Sequence, residues 1–152
     1  MSLLIKFIAF QLGWFACVLG AANGMPWLGP IVVAAAVVLH LVRARRPRPE
    51  LWLICSAMVL GLAVDSLLLA TGWLSYPSGL WLPGLAPYWI VAMWALFATT
   101  LNVSMGWMRC RPLLAVVMGA VGGPHSYLAG HKQGGIEVNQ TTYALAALAV
   151  AW

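Results

Sequence analysis

Long apolar stretches separated by short polar gaps run through the whole chain. Six can be drawn, at residues 3–22, 27–42, 51–72, 88–108, 112–130 and 141–152. They lack the period-two alternation of barrel strands, and most approach the ~20 residues that a helix needs to cross a bilayer. The pattern predicts an all-α protein: a polytopic transmembrane helix bundle in a single domain (1–152), with five full spans and a sixth, incomplete or truncated C-terminal helix.

The sixth segment differs from the others in length. Its residues, 141–152, would rise only ~18 Å as a helix. The segment also stops within an apolar run and has no basic residue after it. We therefore expect either a half-span or a helix that continues beyond Trp152.

Composition places the chain in the same class. Hydrophobic residues make up 63% of the sequence and charged residues 7%, which leaves too few polar side chains to cover a water-soluble protein of this size. The net charge of +5 would also suit a nucleic-acid-binding protein. However, the basic residues lie at the ends of apolar segments and form no stripe with interleaved aromatic residues. We expect membrane lipids around the chain and no nucleic-acid partner.

The basic residues are divided unequally between the two ends of the segments. Seven of the eight fall on one side if the segments cross in turn: Lys6, Arg43, Arg45, Arg46, Arg48, Arg109 and Arg111. Lys132 falls on the other side. Because cytoplasmic loops are enriched in Lys and Arg, both termini are predicted to be cytoplasmic. The aromatic-rich loop at residues 73–87 is then external, and we expect it to lie along the membrane interface as a lid.

Asp65 is a carboxylate inside an apolar segment. A charged side chain at the centre of a bilayer costs about 2.5–3.5 kcal/mol on insertion scales, so Asp65 should face the interior of the bundle. Counting from the predicted external ends places His125 at a similar depth, roughly 10 Å inside the boundary. The two are predicted to meet as a couple that could shuttle a proton. The alternative is that Asp65 accepts hydrogen bonds from Ser, Tyr or His and only fixes the packing.

The fourth segment carries polar residues on one helix face. Thr99 and Asn102 are three positions apart and therefore neighbours on that face. Asn102 lies at about the depth of Gln11 in the first segment. This placement favours an Asn–Gln hydrogen bond between the two helices, which would give packing specificity.

The fifth segment combines helix-breaking and polar residues. Gly119 and Gly123 predict a face for close helix approach, and Pro124 predicts a kink or a break. Polar residues follow at once, which is typical of ligand and ion sites in broken membrane helices, although a simple packing kink would give the same pattern. The candidate ligand-binding residues in the spans are Asp65, Thr99, Asn102, His125, Ser126 and Tyr127.

An ordered set of motifs carries a resemblance to a known family. These motifs are QLGWFACVLGAA, PWLGPIVV, LGLAVDSLLLATG, LFATTLN and GAVGGPHSYLAG. They resemble a proteobacterial family catalogued as domain of unknown function 2878, over essentially the whole chain. The resemblance implies a polytopic protein of the bacterial inner membrane with no established activity. Family genes often neighbour those of flavin-dependent oxidoreductases and cyclopropane-fatty-acid-synthase-like methyltransferases, which implies a role in modifying membrane acyl chains.

Three classes of function fit these observations. The first is an accessory or ligand-binding protein in acyl-chain modification, the second a small proton-coupled transporter, and the third a non-catalytic subunit of a larger membrane complex. The sequence contains no P-loop, Rossmann fingerprint, HExxH or nucleophile elbow, and its cysteines lack metal-ligand spacing. We therefore name no catalytic residue, metal or cofactor. The expected partners are membrane lipids, with a second copy of the chain or another membrane protein as further candidates.

Overall fold

The computed structural model describes residues 3–102 and 105–152. The helices in these residues are α1 (Leu3–Ala22), α2 (Leu28–Arg43), α3 (Pro47–Ala70), α4 (Tyr88–Leu101), α5 (Pro112–Lys132) and α6 (Thr141–Ala151). A 3-10 helix, Gly106–Cys110, precedes α5. Two short strands, β1 (Leu74–Ser75) and β2 (Glu137–Val138), pair antiparallel. The all-α prediction is confirmed.

Two helices depart from their predicted bounds by more than two residues. α3 begins at Pro47 rather than at residue 51. A proline suits the first position of a helix because the N–H that it lacks would have no helical partner there, and Glu50 in the first turn faces the positive end of the helix dipole. α4 ends at Leu101, short of the predicted residue 108. Residues 103 and 104 of that prediction lie outside the described part.

Three helices are long and apolar enough to cross a membrane by length and composition: Ile5–Ala22 within α1, Pro47–Ala70 and Pro112–Lys132. The others, α2, α4 and α6, have 16, 14 and 11 residues. Their rise is roughly 24, 21 and 17 Å, below the ~30 Å of a hydrocarbon core. Large apolar side chains such as Trp52 and Leu113 are more than 70% exposed on the surface. This surface fits a membrane protein.

α4 is the central helix and packs against α1, α2 and α3. Six of its 14 residues are buried: Trp89, Ile90, Trp94, Ala95, Leu96 and Ala98. Close packing depends on small neighbours, because a Cβ atom on Gly61 of α3 would overlap the Trp94 ring. Gly61 therefore provides the space in which Trp94 lies against α3.

α5 and α6 pack against each other through the predicted glycine face. A Cβ atom on Gly119 or on Gly123 would overlap Trp152, directly after α6. The predicted close approach is thus confirmed, with α6 as the neighbour. The Trp152 ring also contacts α4, with its centroid 4.7 Å from that of Trp94 and 4.8 Å from that of Phe97. These contacts join the α5–α6 pair to the centre of the bundle.

α5 runs without interruption through Pro124. The helix therefore does not break at Pro124, and the alternative of a kink stays a prediction. Side chains that follow the proline reach carbonyls of the preceding turn: Ser126 Oγ donates to the Gly123 oxygen at 2.7 Å, and His125 Nδ1 lies 3.1 Å from the Val121 oxygen.

The loop between α3 and α4 folds over one end of the bundle. Ser78 Oγ donates to the Ala21 oxygen of α1 at 2.7 Å, and the Ala86 N–H donates to Ser66 Oγ of α3 at 2.9 Å. The tip, residues 80–82, is exposed. β1 in this loop pairs with β2 in the α5–α6 connection. The α3–α4 loop and the α5–α6 connection therefore lie at the same end of the bundle. The distribution of basic residues predicts a common side for these two loops.

Candidate functional site

The Asp65 carboxylate on α3 is fully buried, with 0% of the residue exposed. The Tyr127 and Tyr76 hydroxyls donate to Oδ1 at 2.6 and 2.7 Å, and Trp94 Nε1 donates to Oδ2 at 2.8 Å. Tyr127 belongs to α5, Trp94 to α4 and Tyr76 to the loop that covers the end of the bundle. We call these four residues the Asp65 cluster. It ties three helices and a loop together at one point.

The sequence prediction for Asp65 is confirmed in one respect and wrong in another. The side chain faces the interior and accepts hydrogen bonds from α4 and α5, as predicted. The predicted partner, His125, is exposed and does not lie in the Asp65 cluster. Residues two positions apart point to different faces of a helix, so His125 and Tyr127 cannot both face α3. Tyr127 shares the inward face of Gly123, four residues earlier.

The Asp65 cluster holds a carboxylate without a basic partner. Among the described residues, the ion pair that the structure contains is His40–Glu50, at the other end of the bundle. Three short hydrogen bonds from neutral donors take the place of a cation. Burial, and then the charge of Asp65, raise the pKa of the Tyr76 hydroxyl well above its usual range. Tyr76 therefore keeps its proton and remains a donor.

The remaining candidate residues are not brought to Asp65. Thr99 Oγ1 donates to the Leu96 oxygen at 2.7 Å, and Ser126 Oγ makes the equivalent bond to Gly123, so both hydroxyls bond within their own helices. Asn102 Nδ2 donates to Glu50 Oε1 of α3 at 2.9 Å. The structure pairs Asn102 with Glu50 rather than with Gln11, because α3 begins early enough to bring a carboxylate there. The six candidates do not form one site.

A second polar cluster lies around Glu50, which comes near the start of α3. Besides the bond from Asn102, Glu50 Oε2 lies 3.1 Å from His40 Nε2 of α2. His40 is buried, and Lys6 of α1 is close enough to be attracted by the Glu50 charge. Sequence reasoning missed His40 and Glu50. Their positions in the sequence could have indicated this contact. His40 and Glu50 lie on either side of the short connection between α2 and α3, which keeps them near each other.

A narrow cleft opens beside the Glu50 cluster, between α1, α2 and α4. Its lining includes Lys6, Phe10, Ala36, His40, Thr99 and Thr100. The polar members lie toward the end of the bundle and the apolar members lie deeper. Thr99 thus belongs to this cleft and not to the surroundings of Asp65.

Sequence reasoning also missed Tyr76 and Trp94. The depth of Trp94 in the bundle could have identified it as a partner of Asp65. Trp94 lies six residues after the start of α4, and Asp65 lies five residues before the end of α3. Both positions are then roughly 8–9 Å inside the same end of the bundle. Tyr76 lies in an irregular loop, where no helical period relates its position to Asp65.

Tyr127→Phe is expected to lower the free energy of unfolding by about 1–3 kcal/mol, because the buried carboxylate loses one of its three donors. Tyr143→Phe is the matched control. The Tyr143 ring is exposed and stacks on Trp73 with centroids 5.6 Å apart, and phenylalanine keeps that contact. Thermal unfolding of the purified proteins in detergent would measure both effects. Equal midpoints for the two variants would contradict a supporting role for the Tyr127 hydroxyl.

The model of a family described as "Protein of unknown function (DUF2878)" matches residues 3–152. The comparisons with curated proteins and with solved structures give no match.

Proposed function

We infer a function from the premise that this chain belongs to the DUF2878 family of proteins of unknown function, and we propose a lipid-handling accessory role. In this proposal it is a protein of the bacterial inner membrane that binds acyl-chain ligands and assists separate enzymes that modify them. The Asp65 cluster carries the proposal. Both oxygens of its buried carboxylate are engaged by protein donors, so Asp65 is placed to hold the fold together. In this proposal the chemistry is supplied by partner enzymes.

Two further observations support this role. The apolar side chains exposed on α2 and α6, such as Val42 and Val150, suit contact with membrane lipids. The family resemblance also implies gene neighbours that act on acyl chains, and this role agrees with that implication. The proton-coupled transporter loses its support, because it relied on an Asp65–His125 couple that the structure does not bring together.

The proposal is tested by removing the gene from its host and measuring the acyl chains of the membrane lipids by gas chromatography and mass spectrometry. The deletion is expected to lower one modified acyl species and to raise its unmodified precursor. Wild-type protein and the Tyr143→Phe control are both expected to restore the profile. Identical profiles in the deletion and parent strains would contradict the proposed function.

The proposed orientation places both termini and the Arg43–Arg48 connection in the cytoplasm, because the basic residues divide seven to one between the two ends. The side chain of Arg109 lies outside the described residues, so this count rests on the sequence. With the natural cysteines replaced, a thiol at Leu80 is expected to react with an impermeant reagent added to intact spheroplasts. A thiol at Arg46 is expected to react only after lysis. The reverse pattern would contradict the orientation.

A second candidate function, the non-catalytic subunit of a larger membrane complex, is favoured by the position of His125. This side chain is exposed on α5 beside Val121, within a helix of membrane-spanning length. Polar residues inside membrane helices almost always face protein or water. A photo-crosslinking residue at Val121 would then capture another protein in native membranes, whereas one at Trp52 of α3 would serve as a control. Adducts with lipid alone would argue against this candidate.

A further inference from the structure

We propose that the connection between α2 and α3 binds an anionic phospholipid whose head group carries a phosphate and no ammonium. Arginine side chains of the connection hold the phosphate, and apolar side chains deeper on both helices lie along the acyl chains. The connection precedes α3, whereas Asp65 lies near the end of that helix, so the two sites are at opposite ends of the bundle. Lipid binding here does not depend on the accessory role proposed above.

The connection concentrates positive charge in a short stretch of chain. Arginine occupies four of the six positions from 43 to 48: Arg43, Arg45, Arg46 and Arg48. All four are exposed. Because α2 ends at Arg43 and α3 begins at Pro47, the four side chains are held between two helix ends and stay close to one another. Clusters of four or more basic residues directly beside a membrane helix are typical of sites for anionic lipid head groups.

Three of these guanidinium groups are available to a ligand. Within residues 3–102 and 105–152, the side chains of Arg45, Arg46 and Arg48 form no ion pair and no hydrogen bond. Of the three acidic residues in the sequence, Glu50 lies at this end of the bundle, and both of its oxygens already have other partners. Guanidinium groups bind phosphate oxygens through paired N–H donors, so these three arginines suit a phosphate.

The same charge balance selects the class of phospholipid. A zwitterionic head group would bring an ammonium among the arginines, where like charges repel each other and the one nearby carboxylate is already engaged. A head group that joins the phosphate to a neutral alcohol avoids this repulsion. The site therefore favours phospholipids with a net negative charge.

Apolar side chains continue from the arginines along both helices. Trp52 follows Arg48 by four residues, so the two share a face of α3, and Trp52 is 75% exposed. On α2, Val42 directly precedes Arg43 and is 79% exposed, and Val38 lies exposed one turn deeper. Tryptophan is enriched at the boundary between head groups and acyl chains. With Trp52 at that depth, Arg48 reaches the lipid phosphates, and Val38 and Val42 meet the acyl chains.

This continuity of charged and apolar surface favours a lipid over a free phosphate ion. Residues 46–49 border a depression that is open to the surroundings and does not enclose a small anion. A free phosphate would have only the charged contacts, whereas a phospholipid also gains contact along its acyl chains.

The test measures lipid binding to the full chain in a neutral detergent by native mass spectrometry. Dioleoylphosphatidylglycerol and dioleoylphosphatidylcholine, which differ only in the head group, are titrated separately. We expect the first phosphatidylglycerol to bind about tenfold more tightly than the first phosphatidylcholine. Inorganic phosphate at millimolar concentration should not displace it. A micelle has no inside or outside, so the result is independent of orientation in the membrane.

Two double variants with the same change in net charge separate this site from the overall charge of the protein. Arg46→Gln combined with Arg48→Gln should reduce the preference for phosphatidylglycerol from about tenfold to about twofold. Arg111→Gln combined with Lys132→Gln removes two charges at the ends of α5 and should leave the preference unchanged. All four side chains are exposed, so both proteins are expected to fold.

Equal affinities of the wild-type protein for the two lipids would overturn the proposal. It would also fall if the two double variants kept the preference alike or lost it alike, because general attraction to a basic protein would then explain the binding. Displacement of phosphatidylglycerol by inorganic phosphate would overturn the lipid assignment in favour of a small-anion site.

Discussion

Asp65→Ala is expected to lower the free energy of unfolding by about 3 kcal/mol or more, the largest effect among the substitutions considered for this chain. Alanine removes the acceptor for three buried donors, and each donor left without a partner costs about 1–3 kcal/mol. The loss is also expected to loosen three helices and the covering loop together, because the donors come from α4, α5 and the α3–α4 loop. The protein should therefore accumulate poorly in membranes.

Asp65→Asn should have an intermediate effect, which makes it the more informative variant. Its amide oxygen can still accept from Tyr76 and Tyr127, both of which donate to Oδ1. Its amide nitrogen would then face Trp94 Nε1, and two donors would oppose each other. We expect a loss of about 1–2 kcal/mol from this one mismatch.

The matched control for both Asp65 variants is Glu137→Gln. Glu137 is an exposed carboxylate at the same end of the bundle and accepts one bond from Ser75 Oγ at 2.8 Å. Its replacement should change stability little, since water can substitute for the lost interaction. Thermal unfolding in detergent would rank the three proteins. If the Asp65→Ala protein unfolds at the same temperature as the Glu137→Gln protein, the Asp65 cluster does not stabilise the fold.

Gly29→Ala is expected to give the second large effect, by forcing α1 and α2 apart. A Cβ atom at Gly29 would lie 2.5 Å from Cys17 Cα and 2.6 Å from its Sγ. A backbone atom cannot move away by side-chain rotation, so the two helices must separate. Overpacking of this kind typically costs about 1–3 kcal/mol, and the central position of the contact places the value at the upper end.

Gly122→Ala provides the control for this prediction. Gly122 lies on the exposed face of α5, and nothing is found within 4 Å of the added Cβ position. Alanine is favoured over glycine in a helix by roughly 0.5–1 kcal/mol, so this variant should be as stable as the wild type or slightly more so. The same unfolding measurement applies. If both alanine variants behave alike, the close contact between α1 and α2 does not limit stability.

The helices themselves were largely predictable from local sequence. The bounds of α1, at Leu3 and Ala22, and the start of α6, at Thr141, agree with the ends of the apolar runs. Apolar runs and helix-breaking residues are local features, so they determine where helices form without knowledge of the fold. The main error concerned α4, whose apolar run continues past Leu101 although the helix does not. Composition at that point does not reveal the change to a 3-10 helix.

The inward direction of Asp65 was predictable for an energetic reason that any membrane fold must meet, since a carboxylate facing lipid is too costly. The choice of Tyr127 over His125 was implicit in the helical period, because Tyr127 continues the inward face of Gly119 and Gly123. Tyr76 and the pairing of β1 with β2 were beyond sequence reasoning. They depend on how an irregular loop folds back over distant helices, and that contact exists only once the bundle has assembled.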